Sequence, residues 1–387
     1  MRVAFLISHP IQYYSPIFRE LAKRCDLHVF YGQQLNSAQQ ASTGFGVGFE
    51  WDVDLLAGYN SSVLKNVARN PAPDRFLGCD TPEVGARLRE GKFEALIVAG
   101  WYLKSHAQAI VAAKRLGIPV LIRGDSHLDT PRSAAKRWAK AVINPAFLRT
   151  FDAALYVGHK SRQFYEHYRY PAERLFFSPH CVDNEWFATR ATPEARTALR
   201  QQRSIRDGAT VALFAGKLVP LKRPFDLVRA AGRCRAQGCD LEVMVAGAGE
   251  LENEMRREAE TLRVPVHMLG FCNQSQMPAA YAASDVLVLA SDQETWGLVA
   301  NEALACGRPI VVTDACGCAP DLAADGTAGR VVPVGDHNAL ASAIQAVSEN
   351  SCLEDAIGRK AQAYSVAAAV NGMMMALNAT NRLKARA

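Results

Sequence analysis

Two glutamates, Glu294 and Glu302, are separated by seven residues in a stretch where their side chains could bind a polyhydroxylated ligand. The pattern around them predicts a strand over 286–290, a short loop containing Gly297, and a helix over 298–306. Glu294 thus lies in the loop and Glu302 on the second turn of the helix. Carboxylates accept hydrogen bonds from hydroxyl groups, so this pair is suited to bind the hydroxyls of a sugar or a ribose.

The loop before this helix also provides a site for an anion. The backbone amides of Gly297, Leu298 and Val299 have no acceptor within the helix, and the helix dipole favours negative charge beside them. Because Gly297 has no side chain, a phosphate can approach the backbone closely there. The sequence therefore predicts that a diphosphate binds between the two carboxylates.

This strand–loop–helix resembles the E-x7-E motif of retaining glycosyltransferases of family 4, which have the GT-B fold. The resemblance implies that Glu294 is a catalytic-site residue that contacts the hydroxyls of the transferred sugar. It implies that Glu302 holds the ribose of the nucleotide. The similarity runs from about 211 to 344 and is weaker at 179–183, where a His-Cys pair replaces the family's Asn-Gly.

A second match follows the first strand of the second half of the chain. Residues 214–224 resemble the family's G-[RK]-L-x3-K motif, in which two basic residues bind the donor diphosphate. The resemblance implies that Lys217 and Lys222 are these ligands and that Gly216 belongs to the same donor site.

The first half of the chain departs from the family pattern. Many members have a glycine pair after the first strand, whereas residues 8–16 of this chain are polar and aromatic. We expect His9 and Gln12 to reach the cleft and Tyr13 and Tyr14 to stack on an acceptor. The alternative, that these four are ordinary loop and core residues, stays open.

A second departure follows the strand that begins at Pro119. Family members often carry a histidine there; in this chain Asp125 falls nearest that position by count, and His127 lies two residues further on. Asp125 and His127 are therefore candidate catalytic residues, with a purely structural role as the alternative.

Composition is consistent with a globular enzyme of two domains. The chain has 387 residues, of which 49% are hydrophobic and 21% charged, so it is too long for one ordinary core and too apolar for disorder. Its ten cysteines include no CxxC pair, which is typical of reduced thiols and does not favour a structural metal site. A net charge of +6 favours an anionic substrate or a membrane surface, and no basic stripe interleaved with aromatics indicates nucleic acid.

Short apolar runs alternate with helical patterns in both halves, which predicts two parallel sheets covered by helices. The predicted fold class is α/β, with two Rossmann-like doubly wound domains that face each other across a cleft, as in GT-B. We expect an N-terminal acceptor domain over 1–183, a linker over 184–207 and a donor domain over 208–362. The C-terminal helix at about 363–387 is expected to pack back on the first domain.

Two other motifs resemble those of other enzyme classes. Residues 247–252 follow a strand but have glutamate where a dinucleotide fingerprint needs its third glycine, which opposes a nicotinamide-dependent oxidoreductase. Asp52 and Asp54 form a D-x-D of the kind that binds metal in the other large glycosyltransferase fold, but GT-B enzymes generally act without a metal. We therefore expect neither a bound cofactor nor a metal.

The longest apolar stretches, such as 95–99 and 286–290, are too short to span a bilayer, so we expect a cytoplasmic protein. Residues 132–149 alternate basic and apolar side chains in a helical pattern, which can contact the inner face of a membrane peripherally. The more common role of such a helix is as a packed surface element.

These residues and the family resemblance together imply an enzyme that moves a sugar from a nucleoside-diphosphate sugar to a hydroxyl of a glycan, a lipid-linked molecule or a small molecule; retention of configuration is implied by the resemblance. Two other functions fit the same fold, a nucleotide-sugar epimerase and a non-catalytic nucleotide-sugar binding protein.

Overall fold

In the computed structural model of the protein, residues 1–35, 48–129, 133–350 and 353–384 are described. The chain forms two compact units. The first unit comprises Met1–Gln39, Asp54–His180 and Val366–Ala387, and the second comprises Gln40–Val53 and Cys181–Ser365.

The first unit is built on a parallel sheet whose strand order is β3-β2-β1-β4-β5-β6-β7. Its described strands are β1 (Arg2–Ile7), β2 (Asp26–Tyr31), β3 (Asn60–Val63), β4 (Ala95–Ala99), β5 (Val120–Gly124), β6 (Ala153–Tyr156) and β7 (Leu175–Phe177). Its described helices are α1 (Ser15–Ala22), α2 (Val84–Glu90), α3 (Lys104–Arg115), α4 (Ala134–Leu148) and α5 (His159–His167).

The second unit repeats this architecture with the strand order β10-β9-β8-β11-β12-β13, again all parallel. Its described strands are β8 (Thr210–Ala215), β9 (Leu241–Ala246), β10 (Val266–Gly270), β11 (Val286–Leu289), β12 (Ile310–Thr313) and β13 (Gly329–Val332). Its described helices are α6 (Asn184–Ala188), α7 (Pro193–Gln202), α8 (Pro224–Ala236), α9 (Glu252–Leu262), α10 (Met277–Ala283), α11 (Leu298–Ala305), α12 (His337–Ser348) and α13 (Glu354–Ala363).

The central strands are largely apolar because helices cover both faces of each sheet; the buried charges within them are Glu242 of β9 and Arg123 of β5. In β1 every residue after Arg2 is buried, and in β9 and β11 every residue is buried. None of the described helices combines the length and the apolar character needed to cross a bilayer.

Each sheet reverses its strand order at one place. In the first unit β1 pairs with β2 on one side and β4 on the other, and in the second unit β8 lies between β9 and β11 in the same way. Loops that leave such neighbouring strands diverge to opposite faces of the sheet and leave a crevice at the carboxyl ends. The candidate site residues must be sought at these two crevices.

The segment 184–207, expected as a linker, is part of the second unit. It contains α6 and α7, and α7 is held by ion pairs of Arg196 and Arg200 with Asp285, each at 2.7 Å. The arginines of this segment thus lie on a helix whose guanidinium groups bind a carboxylate at the start of β11.

The last helix, α14 (Val366–Lys384), lies in the first unit and packs against α1, β6 and β7. It is joined there by a hydrogen bond from the Ser178 hydroxyl to the carbonyl of Ala369, 3.0 Å. The chain therefore returns to its first unit after completing the second.

The glycines of the 247–249 loop have a packing role. This loop runs directly along residues 216–218, with the Gly216 amide donating to Ala246 at 2.9 Å and the Leu218 amide to Ala248 at 3.0 Å. A Cβ at Gly247 would lie 1.8 Å from the carbonyl oxygen of Gly216. The loop thus fixes the backbone on either side of Lys217.

We predict that Gly247→Ala lowers the free energy of unfolding by about 1–3 kcal/mol, because its methyl group meets backbone that cannot move aside cheaply. The matched control is Gly358→Ala in α13, where a Cβ meets nothing within 4 Å. That control should be neutral or stabilise by up to about 1 kcal/mol, since alanine is the better helix former. Urea unfolding of both variants measures this, and equal midpoints for the two would contradict it.

Candidate functional site

The crevice of the second unit brings together the two motifs that the sequence singled out. The loop after β8 and the loop after β11 are joined by a hydrogen bond from the Asp292 amide to the carbonyl of Leu221, 3.1 Å. Beside this bond the Lys222 ammonium and the Glu294 carboxylate form an ion pair, and their side chains are 22% and 17% exposed. A lysine and a glutamate 72 residues apart in sequence are thus in direct contact.

Lys217 lies on the same loop and is partly buried. Burial, and then the positive charge of Lys222, lower the pKa of Lys217. The 216–222 loop thus brings two ammonium groups to one place, close enough to affect each other and beside the Glu294 carboxylate. Such a place attracts an anion.

Gly297 sets the position of the α11 N-terminus. Its φ of 99° lies in the left-handed region, and a Cβ there would lie 2.5 Å from Cδ2 of Leu289. Only glycine therefore fits this turn without strain. The first amides of α11, at Leu298 and Val299, lie directly beyond it and have no acceptor within the helix.

A later loop holds the Glu294 segment in place from the other side. The Gly317 amide donates to the carbonyl of Glu294 at 2.8 Å, and the Cys318 amide donates to the carbonyl of Trp296 at 3.0 Å. The backbone on which Glu294 stands is therefore fixed independently of the ion pair with Lys222.

Glu302 lies one turn further along α11 and accepts a hydrogen bond from the Tyr281 hydroxyl at 2.6 Å. Burial raises the pKa of Glu302 to about 7, although the bond from Tyr281 opposes this shift. Near neutral pH the carboxyl group is thus a mixture of the protonated and ionised forms.

The first unit has its own cavity of about 250 Å³ at the carboxyl ends of β1, β4 and β5. Aromatic and polar side chains line it together. It is bounded by Ile7, Ser8, Ile11, Tyr13, Tyr14, Ala99, Gly100, Trp101, Tyr102, Arg123, Gly124, Asp125, Ser126 and His180.

Arg123 is the largest fully buried side chain of this wall, at 1% exposure. Its guanidinium donates to the Tyr14 hydroxyl at 2.8 Å and to the carbonyls of Pro179 at 2.8 Å and Ser178 at 3.2 Å. These bonds tie the loops after β1 and β7 to the end of β5. Arg123 therefore positions the cavity wall, and it adds positive charge there.

Asp125 and His180 face each other in the cavity, with Oδ2 and Nε2 3.7 Å apart. Burial lowers the pKa of His180. Partial burial alone would raise the pKa of Asp125, but His180 and Arg123 lower it below its ordinary value. At neutral pH the pair is a carboxylate beside a neutral imidazole, which can both accept and donate hydrogen bonds to a polar ligand.

Of the residues predicted for the first unit, Tyr13, Tyr14 and Asp125 line the cavity, whereas His9 and Gln12 do not. The His9 Nδ1 lies 2.9 Å from the Ser8 hydroxyl, and burial lowers the pKa of His9 to about 4.

His127 does not line the cavity either, and its Nδ1 lies 3.8 Å from the Asp129 carboxylate. The sequence alone predicts no role for Arg123, Trp101 or Tyr102. It shows His180 only as the residue that replaces the asparagine of the family motif at 179–183. The available signal was a charged residue, Arg123, in the otherwise apolar strand β5.

The two aspartates of the D-x-D have separate partners. Asp52 accepts from the amide of Ser275 at 3.2 Å, and Asp54 accepts from the amides of Leu56 at 2.9 Å and Ala57 at 3.1 Å. Each carboxylate therefore caps a different turn.

Residues 195–364 match the family described as glycosyl transferases group 1. The chain is 34% identical to D-inositol 3-phosphate glycosyltransferase of Geodermatophilus obscurus, over 57% of this chain and 50% of that protein. It is 28% identical to GDP-mannose-dependent alpha-(1-6)-phosphatidylinositol monomannoside mannosyltransferase of Mycolicibacterium smegmatis, over 68% and 70% of the two chains. It spans about half the length of three D-inositol 3-phosphate glycosyltransferases that it matches.

Among solved structures, HepE of Anabaena in complex with UDP is similar, with a TM-score of 0.72 and 18% identity over 98% of this chain and 100% of that one. At this identity the likeness concerns the fold alone. The predicted α/β class, two Rossmann-like doubly wound domains of the GT-B type, is confirmed.

The raised pKa of Glu302 makes stability depend on pH. Between its ordinary value of 4.5 and the folded value of about 7, the unfolded chain releases a proton that the folded chain keeps. The stability from this group is therefore complete below pH 4.5 and is lost as pH rises to about 7.

We predict that Glu302→Gln, which can still accept from Tyr281, matches the wild type near pH 4.5 and melts at a higher temperature at pH 8. The gain is at most about 3 kcal/mol. Melting temperature measured against pH tests this, with the exposed Glu349→Gln as the control. Parallel curves for wild type and Glu302→Gln would contradict the assigned pKa.

Proposed function

We propose that the protein is a retaining glycosyltransferase that moves a sugar from a nucleoside-diphosphate sugar to an acceptor hydroxyl. The observation that carries the proposal is the convergence of Lys217, Lys222 and Glu294 at one crevice, beside the N-terminus of α11. The match of residues 195–364 to the glycosyl transferases group 1 supports it.

The donor diphosphate is assigned to the two lysines and the amides of Leu298 and Val299. Two positive charges and a helix N-terminus together complement a group that carries two or more negative charges. The left-handed turn at Gly297 supports this assignment, because it leaves the backbone open to close approach by a phosphate.

Glu294 is assigned to the hydroxyls of the transferred sugar. In the structure its carboxylate pairs with Lys222. A bound diphosphate competes with Glu294 for Lys222, so the carboxylate can then accept hydrogen bonds from the sugar hydroxyls. In this account the ion pair holds both side chains in position before the donor arrives.

Glu302 is assigned to the ribose hydroxyls of the nucleotide. It lies on the same helix one to two turns beyond the phosphate position, and its second oxygen remains for a ligand while the first accepts from Tyr281. A carboxyl group that changes protonation near neutral pH can accept from a ribose hydroxyl in its ionised form.

The proposed reaction breaks the bond between the anomeric carbon and the diphosphate oxygen and forms one between that carbon and the acceptor oxygen on the same face. The acceptor proton passes to the leaving phosphate oxygen, so the products are a nucleoside diphosphate and a glycoside. Lys217, Lys222 and the α11 amides stabilise the negative charge that develops on the leaving group.

The acceptor is assigned to the cavity of the first unit. A cavity of about 250 Å³ accommodates one sugar or cyclitol ring. Tyr13, Trp101 and Tyr102 offer faces for an apolar ring surface, and the pair of Asp125 and His180 offers hydrogen bonds to hydroxyl groups.

The donor is found first, by screening thermal stability against UDP, GDP, ADP, CMP and dTDP sugars. A ligand at 100 times its dissociation constant stabilises by about 2.7 kcal/mol. The absence of stabilisation by every nucleotide sugar in this panel would count against the proposal.

We predict that Lys217→Met and Lys222→Met each weaken binding of the free nucleoside diphosphate by about 10- to 150-fold. This range corresponds to a charge-assisted phosphate contact of about 1.5–3 kcal/mol. Calorimetry measures the affinities, with Arg229→Met as the control, since Arg229 pairs with Glu258 on a neighbouring helix. Unchanged affinity in both lysine variants would show that the diphosphate does not bind at this crevice.

We predict the opposite pattern for Glu294→Gln. Loss of the carboxylate releases Lys222, so affinity for the free nucleoside diphosphate stays the same or rises. Turnover falls by about 100-fold or more, because contacts to the transferred sugar strengthen in the transition state. Steady-state kinetics with the donor and calorimetry with the nucleotide separate the two effects. Near-normal turnover in Glu294→Gln would show that Glu294 is only a partner for Lys222.

A further inference from the structure

Helix α4 of the first unit turns its large apolar side chains toward solvent. Trp138 is 72% exposed, Val142 59% and Ile143 61%. Among its described residues only Leu148 is buried. Trp138 and Val142 are four residues apart and therefore lie on the same side of the helix.

The same helix carries a concentration of positive charge. The described stretch 133–151 contains four basic residues and no acidic one, in a chain whose net charge is +6. Lys136 and Arg137 are exposed beside Trp138, and Lys140 is partly exposed on the next turn. An apolar patch of three large side chains is thus flanked by cations.

The inner side of α4 is connected to the cavity of the first unit. Phe147 packs edge-on against Trp101, with ring centroids 5.8 Å apart. Trp101 lines the cavity, and Asp125, another lining residue, lies eight residues before the Ser133 cap of the helix. The patch and the cavity are therefore on neighbouring parts of one unit.

We infer that the outward face of α4, formed by Trp138, Val142 and Ile143, docks on an anionic lipid surface. An indole ring is suited to the boundary between headgroups and acyl chains, and the two aliphatic side chains can enter that boundary. Lys136, Arg137 and Lys140 then meet the phosphates of the headgroups.

A second copy of the chain fits this face poorly. In a symmetric dimer the same patch meets itself, so the cations of one helix would lie against those of the other. An anionic surface complements both the apolar and the basic side chains.

This docking has a consequence that rests on the proposed function. If the cavity holds the acceptor, a lipid-docked α4 brings that cavity to the surface where lipid-linked acceptors are found. Binding of α4 to lipid does not depend on the catalytic assignment, so an experiment can contradict the docking inference and leave the proposed function standing, or the reverse.

The test is sedimentation of the full chain with vesicles of phosphatidylcholine alone and with added phosphatidylglycerol. We expect binding that rises with the anionic lipid and weakens with salt. The triple variant Trp138→Ser, Val142→Ser, Ile143→Ser should lower the partition coefficient at least 10-fold. Its melting temperature should stay unchanged, because the three side chains are exposed.

The matched control replaces three exposed apolar residues elsewhere in the first unit, Phe76→Ser, Leu77→Ser and Met375→Ser, and should bind vesicles like the wild type. Turnover of the triple variant with a water-soluble acceptor should equal that of the wild type. Three outcomes would overturn the inference: no binding of the wild type to anionic vesicles, equal losses in the triple variant and the control, or a wild-type dimer that the triple variant converts to a monomer.

Discussion

The crevice at the carboxyl ends of two neighbouring parallel strands is the constraint on which the candidate sites depend. It arises where the strand order reverses, between β1 and β4 in the first unit and between β8 and β11 in the second. Loops from these strands must diverge, so polar side chains can collect there without interrupting an apolar sheet. Lys222 and Glu294 meet at one crevice, and Tyr14 and Arg123 meet at the other.

The charged side chains have different kinds of partner at the two crevices. In the second unit the partly exposed ion pair of Lys222 and Glu294 lies near a second lysine, Lys217, and an anionic ligand can compete with Glu294 for Lys222. In the first unit the buried Arg123 gives its hydrogen bonds to backbone carbonyls and to Tyr14, so it fixes the wall of the cavity. The first arrangement suits binding and release of an anion, whereas the second suits a cavity of constant shape.

Much of the fold could be predicted because the central strands are mostly apolar and the main helices have clear periodicity. The predictions failed where those signals are weak: β3 is the polar edge strand Asn60–Val63, and α6 and α7 lie in an arginine-rich segment. Contacts between residues that are far apart in the sequence could not be predicted either. Nothing local predicts that His180 faces Asp125, or that the 247–249 loop packs on the backbone beside Lys217.

The central claim is that a nucleoside diphosphate binds at the β8–β11 crevice, on the first amides of α11. Hydrogen–deuterium exchange with and without the nucleoside diphosphate tests it most directly, because amides that donate to phosphate exchange more slowly. We predict slower exchange at Leu298 and Val299 and in the 216–222 loop. Protection confined to 247–252, with Leu298 and Val299 unchanged, would contradict it.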